Sequence, residues 1–312
     1  MNILLARPRG FCAGVVRAID IVEIALQKFP APIYVRKEIV HNRAVVEGFK
    51  VRGVIFIDHL DEAPAKSLVI FSAHGVSPEV RRRADERGLR VIDATCPLVT
   101  KVHLEVHRFL REGYDLLLVG HRSHDEVEGT LGEAPGHIHL VETMEDVLKL
   151  PFPLDKKLMI LTQTTLSLDE TRDIIAAIKN RFKNAATPPK DDICYATQNR
   201  QDAVKELVRR EIDLLLVVGS QNSSNSQRLV DVARQTGCAA HLIDGAGEIN
   251  PAWLADAQRI GVTAGASAPE HLVADVIRVL EARGGTVEEV HVRDEDVHFS
   301  LPKELADAAP VR

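Results

Sequence analysis

The 312-residue sequence has little of the material that zinc ribbons, membrane spans and signal peptides require. It contains four cysteines and no Cys-x-x-Cys pair, so zinc ribbons and dithiol redox motifs lack their usual sequence support. No hydrophobic run approaches the roughly 20 residues that a membrane-spanning helix needs. Residues 1–7 lead into a basic loop without the longer apolar segment or cleavage site of a signal peptide. We therefore expect a cytoplasmic protein that has no membrane partner.

Acidic residues outnumber basic ones, and aromatic rings are scarce. The formal net charge is −6, and aromatic residues make up 4% of the chain. Nucleic-acid binding usually needs a concentrated cationic surface, and single strands are often bound by stacking on aromatic side chains. The one dense basic run, Arg81-Arg82-Arg83, is predicted to lie on a helix and is typical of a solvated helix face. Nucleic acid is therefore not expected as a partner.

What the chain does contain is an alternation of short hydrophobic runs with longer amphipathic segments. The continuously hydrophobic runs include residues 69–71, 116–119, 158–161 and 214–218. Such runs are typical of parallel strands buried on both faces, and the alternation predicts an α/β fold with right-handed crossovers. We expect similar α/β units over residues 1–96 (with the N-terminal strand and Cys12), 97–193 and 194–285, and a C-terminal extension over residues 286–312.

Small polar loops follow several of the predicted strands. Five of these loops begin at Ser72, Gly120, Thr162, Gly219 and Thr263. Ligands of open α/β sheets bind beyond the carboxyl ends of the strands, close to helix N-termini. Five such loops in one chain indicate a shared cavity at that edge.

Three of the four cysteines occupy similar positions in this pattern. Cys12, Cys96 and Cys194 each come just before a predicted helix, and a helix N-terminus favours the thiolate that binds metals. Disulfides are rare in the cytoplasm, which leaves metal ligands, reactive thiols or small core residues as interpretations. Cys238 has no polar loop beside it and is expected to be a buried structural thiol.

The motifs around these cysteines carry a family resemblance. They are RGFCAGV at 9–15, DATCPLV at 93–99, DICYAT at 192–197, EIVHN at 38–42, FSAHG at 71–75, TQTT at 162–165, and the loops at 219–226 and 263–269. With these motifs the chain strongly resembles, over residues 1–305, the 4-hydroxy-3-methylbut-2-enyl diphosphate reductases. That family catalyses the last step of the methylerythritol phosphate route to isoprenoid precursors.

The resemblance implies three pseudo-equivalent α/β units arranged as a trefoil around one 4Fe–4S cluster. Cys12, Cys96 and Cys194 would ligate three irons, and the fourth iron would accept the substrate hydroxyl. The implied reaction is a two-electron reductive dehydroxylation of (E)-4-hydroxy-3-methylbut-2-enyl diphosphate, which yields isopentenyl diphosphate and dimethylallyl diphosphate. Reduced ferredoxin or flavodoxin would be the electron donor.

The matching loops also suggest roles for side chains around the substrate. Glu126 is expected to donate a proton, with Thr164 relaying or orienting it and His124 beside them. The expected diphosphate contacts are His41, His74, His124, Thr164, Ser223, Ser224, Asn225 and Ser267. From the residues alone, the serines could instead be helix caps, the histidines core residues and Glu126 a solvated carboxylate.

Two positions depart from the family pattern. Lys37 stands where a histidine is common, and Asp125 replaces a frequent proline beside Glu126. Two other functions fit parts of the pattern. A non-redox iron–sulfur hydro-lyase could use the same three cysteines, and a binding module that senses iron–sulfur status would not need Glu126.

Overall fold

The computed structural model of the chain describes residues 1–305, so the last part of the expected C-terminal extension, residues 306–312, lies outside the described residues. The strands in the described part are β1 (Asn2–Arg7), β2 (Ile33–Arg36), β3 (Val54–Ile57), β4 (Leu68–Phe71), β5 (Arg90–Asp93), β6 (Asp115–Val119), β7 (Ile138–Val141), β8 (Leu158–Thr162), β9 (Ala185–Ala186), β10 (Leu214–Val218), β11 (Ala239–Ile243), β12 (Arg259–Ala264) and β13 (Thr286–His291). The helices are α1 (Ala13–Lys28), α2 (Arg43–Lys50), α3 (Pro78–Glu86), α4 (Pro97–Arg111), α5 (Asp125–Glu133), α6 (Met144–Lys149), α7 (Leu168–Arg181), α8 (Tyr195–Arg209), α9 (Ser224–Gln235) and α10 (Glu270–Glu281).

These elements divide into two compact units. Unit one comprises Met1–Val16, Val40–Phe49 and Tyr195–His298. It contains one five-stranded parallel sheet in the order β11-β10-β12-β1-β13. Strands β10 and β12 are almost wholly buried, as expected for a parallel sheet covered on both faces.

The five-stranded sheet differs from the expected boundaries at both ends of the chain. Strand β1 pairs with β12 and β13, so the N-terminal strand lies in the sheet of the last predicted unit and not of the first. Strand β13 belongs to the same sheet, although its residues were assigned to the C-terminal extension. The reason is burial: Ile3 to Ala6 are apolar on both faces of β1, and a central place between two strands covers them.

Unit two comprises Arg17–Ile39, Lys50–Cys194 and the described part of Phe299–Arg312. It contains two four-stranded parallel sheets, in the orders β3-β2-β4-β5 and β7-β6-β8-β9. Every strand pairing in both sheets is parallel, and separate hydrophobic clusters pack against each of them. The prediction of three parallel α/β sheets is therefore confirmed.

The predicted polar loops all leave the carboxyl ends of strands. They follow β4, β6, β8, β10 and β12, whose C-terminal residues are Phe71, Val119, Thr162, Val218 and Ala264. Backbone N–H groups at these edges have no further strand to pair with, so side chains and ligands can use them.

None of the described helices is long and apolar enough to cross a bilayer. The cytoplasmic location stays a prediction.

Cys238 lies at the amino ends of the strands of the five-stranded sheet, directly before β11 begins at Ala239. Its Sγ is 3.7 Å from the carbonyl oxygen of Ile212, and it packs against the hydrophobic cluster on that side of the sheet. The thiol is half-buried and not fully buried as expected, because the chain enters β11 at the rim of the sheet. Burial raises the pKa of this thiol.

The position of Cys238 predicts a purely structural role. Cys238→Ala should lower the free energy of unfolding by about 1 kcal/mol because only local packing is lost. Leu216→Ala, at a fully buried site on β10, should cost about 2–5 kcal/mol in the same denaturant titration. The iron content of Cys238→Ala should equal that of the parent protein, and a loss of iron from this variant would contradict the structural role.

Candidate active site

In unit one, the loop after β1 presents Cys12 at the start of α1. Gly10 has a left-handed backbone (φ 65°), and its N–H donates to the carbonyl of Ala264 at 3.2 Å. The N–H of Cys12 donates to the carbonyl of Ala266, also at 3.2 Å. Both acceptors lie at or just beyond the carboxyl end of the neighbouring strand β12. The cysteine is therefore held where the helix begins and where the adjacent polar loop emerges.

Arg200 supports the Cys12 loop and was missed by the sequence analysis. Its side chain is fully buried, and its guanidinium donates to the carbonyl of Gly10 at 3.0 and 2.7 Å and pairs with Glu295 at 2.9 Å. The Tyr195 hydroxyl also accepts a hydrogen bond from the N–H of Ala13 at 3.2 Å. The sequence did offer one signal. Arg200 is spaced three and seven residues from the apolar Ala203 and Leu207, so it lies on the buried face of α8. A guanidinium on such a face is normally paired.

The expected diphosphate residues of unit one lie around the same edge. Ser267 Oγ donates to the carbonyl of His41 at 2.8 Å and is 3.5 Å from Ser223 Oγ. Asn225 Oδ1 accepts from the N–H of Ala266 at 2.8 Å, and the carbonyl of that same residue receives the Cys12 N–H. The structure thus brings together the loops that carry Cys12, His41, Ser223, Asn225 and Ser267.

The capping interpretation of these serines is correct for Ser223. It is the N-cap of α9, and its Oγ accepts from the N–H of Ser226 at 3.3 Å. Ser224, the first residue of α9, is almost fully buried beside it. A cap and an anion contact are compatible, because both place the hydroxyl at the positive end of the helix dipole.

In unit two, a series of contacts connects the remaining site residues. The N–H of Cys96 donates to the carbonyl of Ala73 at 2.9 Å, in the loop that also carries His74. The rings of His74 and His124 are edge-to-face, with centroids 5.7 Å apart. His124 is the N-cap of α5, and its Nδ1 accepts from the N–H of Glu126 at 3.2 Å.

Glu126 is the centre of this series. One carboxylate oxygen accepts from the N–H of Thr164 at 2.7 Å, and the other accepts from the Thr164 hydroxyl at 2.9 Å. The carbonyl of Thr164 in turn accepts from the N–H of Cys194 at 3.0 Å. The sequence-based alternative of a solvated loop carboxylate is therefore wrong, since Glu126 is 3% exposed.

The environment of Glu126 changes its acidity. Burial raises the pKa of this carboxyl to about 7, and the two hydrogen bonds from Thr164 oppose that rise by favouring the anion. A carboxyl group with a pKa near neutrality can both hold and release a proton under physiological conditions. Glu126 and Thr164 are consequently suited to the proton transfer that the sequence predicted for them.

The two departures from the family pattern contact each other. Lys37 Nζ lies 3.8 Å from Asp125 Oδ1 and 3.3 Å from Asp58 Oδ1. The preceding residue, Arg36, pairs with Glu128 at 3.1 Å. Arg36, the last residue of β2, and Lys37, the residue after it, therefore bind two acidic side chains in the first turn of α5. Lys37 compensates the charge that Asp125 adds beside Glu126.

A buried carboxyl with a raised pKa, among polar loops at the carboxyl ends of parallel strands, is typical of an α/β enzyme. Comparison with known proteins identifies the family. The profile of the family described as LytB protein matches residues 3–281 of the chain. The chain belongs to the LytB protein family.

The individual relatives agree with this assignment. A protein of Azoarcus sp. named 4-hydroxy-3-methylbut-2-enyl diphosphate reductase is 57% identical over 308 residues, which cover 98% of each chain. The protein of the same name in Bordetella pertussis is 58% identical over 306 residues, covering 98% of this chain and 94% of its own. The solved structure of E-1-hydroxy-2-methyl-but-2-enyl-4-diphosphate reductase from Plasmodium falciparum superposes with a TM-score of 0.95 at 42% identity, covering 97% of this chain and 96% of its own. The resemblance recognised from the motifs is confirmed.

The contact between Lys37 and Asp125 predicts energetic coupling. Lys37→Met and Asp125→Asn each remove one partner, so the double variant should lose less stability than the sum of the single variants. We expect a coupling of about 0.5 kcal/mol in a double-mutant cycle read by denaturant unfolding, because both side chains are mostly buried.

The exposed pair Arg122 and Glu142, at 3.7 Å, offers a matched control and should show coupling close to zero. Strict additivity for Lys37 and Asp125 would show that the two departures are energetically independent.

Proposed function

We propose that the chain converts (E)-4-hydroxy-3-methylbut-2-enyl diphosphate to isopentenyl diphosphate and dimethylallyl diphosphate by two-electron reductive dehydroxylation. The family membership and the names of the relatives support this reaction. The structural observation that supports it is the buried Glu126, whose two carboxylate oxygens accept hydrogen bonds from Thr164. The carbonyl of Thr164 in turn accepts a hydrogen bond from the N–H of Cys194. Such a pair can deliver protons at a site from which bulk water is excluded.

We further propose that Cys12, Cys96 and Cys194 hold one 4Fe–4S cluster. Each cysteine comes directly before or at the start of a helix, and each donates its N–H to a carbonyl in the polar loop of a neighbouring strand. All four cysteines lie among the described residues, and none of them forms a disulfide. A set of three thiolates fits a cluster that keeps one iron without a protein ligand, and Cys238 does not share the pattern. When bound, the cluster would supply electrons and a Lewis-acidic iron for the substrate hydroxyl.

The proposed ligand set predicts equal effects at three positions. Cys12→Ser, Cys96→Ser and Cys194→Ser should each lower the iron and sulfide content of anaerobically purified protein and abolish turnover. Cys238→Ala, measured beside them, should keep both at the parent level. Normal cluster spectra and full activity in one of the three serine variants would remove that cysteine from the set.

Diphosphate binding is proposed for the polar loops. In unit one the donors are the hydroxyls of Ser223, Ser224 and Ser267 and the amide of Asn225, together with the N-terminus of α9 and the His41 imidazole. In unit two, His74, His124 and Thr164 offer further imidazole and hydroxyl donors beside Glu126. These groups bind an anion without the glycine-rich loop and lysine of a P-loop.

Glu126 is proposed as the immediate proton donor. In its protonated form it faces the Thr164 hydroxyl, so that either group can pass a proton to the departing oxygen of the substrate. His124 fixes the first turn of α5, since its Nδ1 accepts the Glu126 N–H. Loss of the Glu126 proton above a pH of about 7 should therefore reduce turnover.

Separate variants should distinguish proton transfer from binding. Glu126→Gln keeps the size of the side chain but removes the exchangeable proton, so turnover should fall by about 100-fold or more. Its substrate affinity should stay close to that of the parent. Ser223→Ala and His41→Asn should instead weaken substrate binding and change the turnover of the bound complex much less.

The measurement pairs steady-state turnover with the spectral change that substrate produces in the cluster. Parent-like turnover in Glu126→Gln would assign the proton to another donor. Two electrons consumed per product, with reduced ferredoxin or flavodoxin as the proposed donor, would support the reductase. Product formation without electron consumption would support the hydro-lyase, which the reductase names of the relatives do not favour.

A further inference from the structure

Each proposed cluster ligand is followed by a helix that carries a long cationic side chain near its start. Helix α1 begins at Ala13, and its fifth residue is Arg17. The fifth residue of α4 is Lys101, and the sixth residue of α8 is Arg200. Side chains on a helix point back towards its N-terminus, so a long side chain in the second turn can reach the loops around the helix start.

Lys101 binds the segment that leads to Cys194. Its Nζ donates to one carboxylate oxygen of Asp192 at 2.7 Å. It also donates to the carbonyls of Lys190 and Asp191, at 3.2 and 3.3 Å. Three oxygen acceptors just before the cysteine therefore share one ammonium group. Lys101 itself belongs to α4, the helix that begins after a different ligand.

Arg17 makes a similar contact with the segment before Cys96. Its guanidinium donates to the carbonyl of Thr95, the residue directly before the cysteine, at 3.1 Å. Its Nε donates to the carbonyl of Ser300 at 2.7 Å, which fixes the direction of the side chain. Thr95 is held by a second group as well, because its N–H and its hydroxyl both donate to Asp93. The backbone that enters Cys96 is thus held by charged side chains.

Arg200 makes the third contact, in unit one. Its guanidinium donates to the carbonyls of Gly10 and Phe11, the two residues before Cys12, at 2.7 and 3.4 Å. The side chain is fully buried, and a buried guanidinium needs such acceptors to offset its lost hydration. Arg200 lies on α8, the helix that begins directly after Cys194.

The three contacts follow the order of the cysteines along the chain. The helix after Cys12 binds the residue before Cys96, and the helix after Cys96 binds the segment before Cys194. The helix after Cys194 binds the segment before Cys12, which closes the series. Each contact lies within one of the two compact units. A shift of any one helix would therefore disturb the backbone of the next ligand.

We propose that Arg17, Lys101 and Arg200 are positioning residues for the cluster, and that each fixes the cysteine after the segment it binds. The proposal rests on the three-cysteine ligand set proposed above. Groups outside the ligands of a metal site orient those ligands, and their loss commonly weakens metal binding by about 10- to 100-fold. Charged donors suit this role because their hydrogen bonds to carbonyl groups are stronger than those of neutral donors.

The order of the contacts separates this role from an ordinary structural one. A cation that only stabilised its own helix would affect the cysteine at the start of that helix. The proposed role affects the next cysteine along the chain instead. For Lys101 the two cases differ clearly, because its helix begins after Cys96 whereas its acceptors precede Cys194.

Hydrogen exchange in the full-length holoenzyme, resolved by peptide, tests this order. Lys101→Met should accelerate exchange in residues 190–194 by about tenfold or more, because that segment loses charge-assisted hydrogen bonds. Residues 93–96 should keep the parent rate in this variant. Arg17→Met should have the opposite effect, with faster exchange in residues 93–96 and parent-like exchange in residues 190–194.

Two further variants control this measurement. Arg108→Met is matched to Lys101→Met, because Arg108 lies on the same helix but pairs with Glu112 at 2.9 Å, near the far end of α4. It should leave both segments at the parent rate. Lys101→Arg restores a charged donor and should return residues 190–194 towards the parent rate. Equal acceleration of both segments in Lys101→Met, or an unchanged rate in residues 190–194, would overturn the proposal.

Arg200 is tested by a milder change because its side chain is fully buried. Arg200→Lys keeps the charge but loses the planar fork that contacts two successive carbonyls, so exchange in residues 10–12 should accelerate. The rates in the segments before Cys96 and Cys194 should not change. The Arg17 and Lys101 variants decide the proposal even if Arg200 cannot be replaced without unfolding.

Iron release to an excess of chelator follows the cluster itself and needs no turnover. Lys101→Met and Arg17→Met should each release iron about 10- to 100-fold faster than the parent, and Lys101→Arg should release it more slowly than Lys101→Met. Parent-like release from both methionine variants would overturn the positioning role. The ligand set and the reductase assignment are tested separately, by the cysteine variants and by electrons consumed per product, so their failure is distinguishable from this one.

Discussion

One hydrogen bond recurs in each of the three sheets, and the position of each proposed cluster ligand depends on it. A cysteine following the end of one strand donates its backbone N–H to a carbonyl at or beyond the end of the neighbouring strand: Cys12 to Ala266, Cys96 to Ala73, and Cys194 to Thr164. Parallel strands place their carboxyl ends at one edge of the sheet, so the loop of one strand can accept from the helix start that follows the next. The thiol position and the polar loops are thereby coupled. Displacing a strand would displace both.

Burial of Glu126 is the second constraint, and it suits this carboxyl to the proposed proton transfer. An exposed glutamate would be ionised at neutral pH and could not hold a proton for the substrate. The packing of α4, α5 and the loop after β8 removes water from this carboxyl. Thr164 replaces the lost water contacts by donating one hydrogen bond to each carboxylate oxygen. Because desolvation and hydrogen bonding oppose each other, the pKa comes to about 7, where both proton states are accessible.

Charged groups that are far apart in the sequence lie on both sides of α5, the helix that carries Glu126. Arg36 and Lys37 at the end of β2 bind Glu128 and Asp125, which fixes the first turn of α5 from outside. Inside, Glu133 and His103 pair two turns further along the same helix. The first turn of α5 is thus held by ion pairs on one side and by the Thr164 loop on the other. This arrangement tolerates an aspartate where a rigid proline is common.

The local pattern of residues determined the secondary structure, the parallel sheets, the polar loops and the cysteine positions. These features depend on periodicity and on helix starts, which adjacent residues specify. The tertiary structure decided the rest: the place of β1 in the last sheet, the support of Cys12 by Arg200, the burial of Glu126, and the ion pair of Lys37 with Asp125. Each of these depends on which distant segments become neighbours, and no pattern within a single segment carries that information.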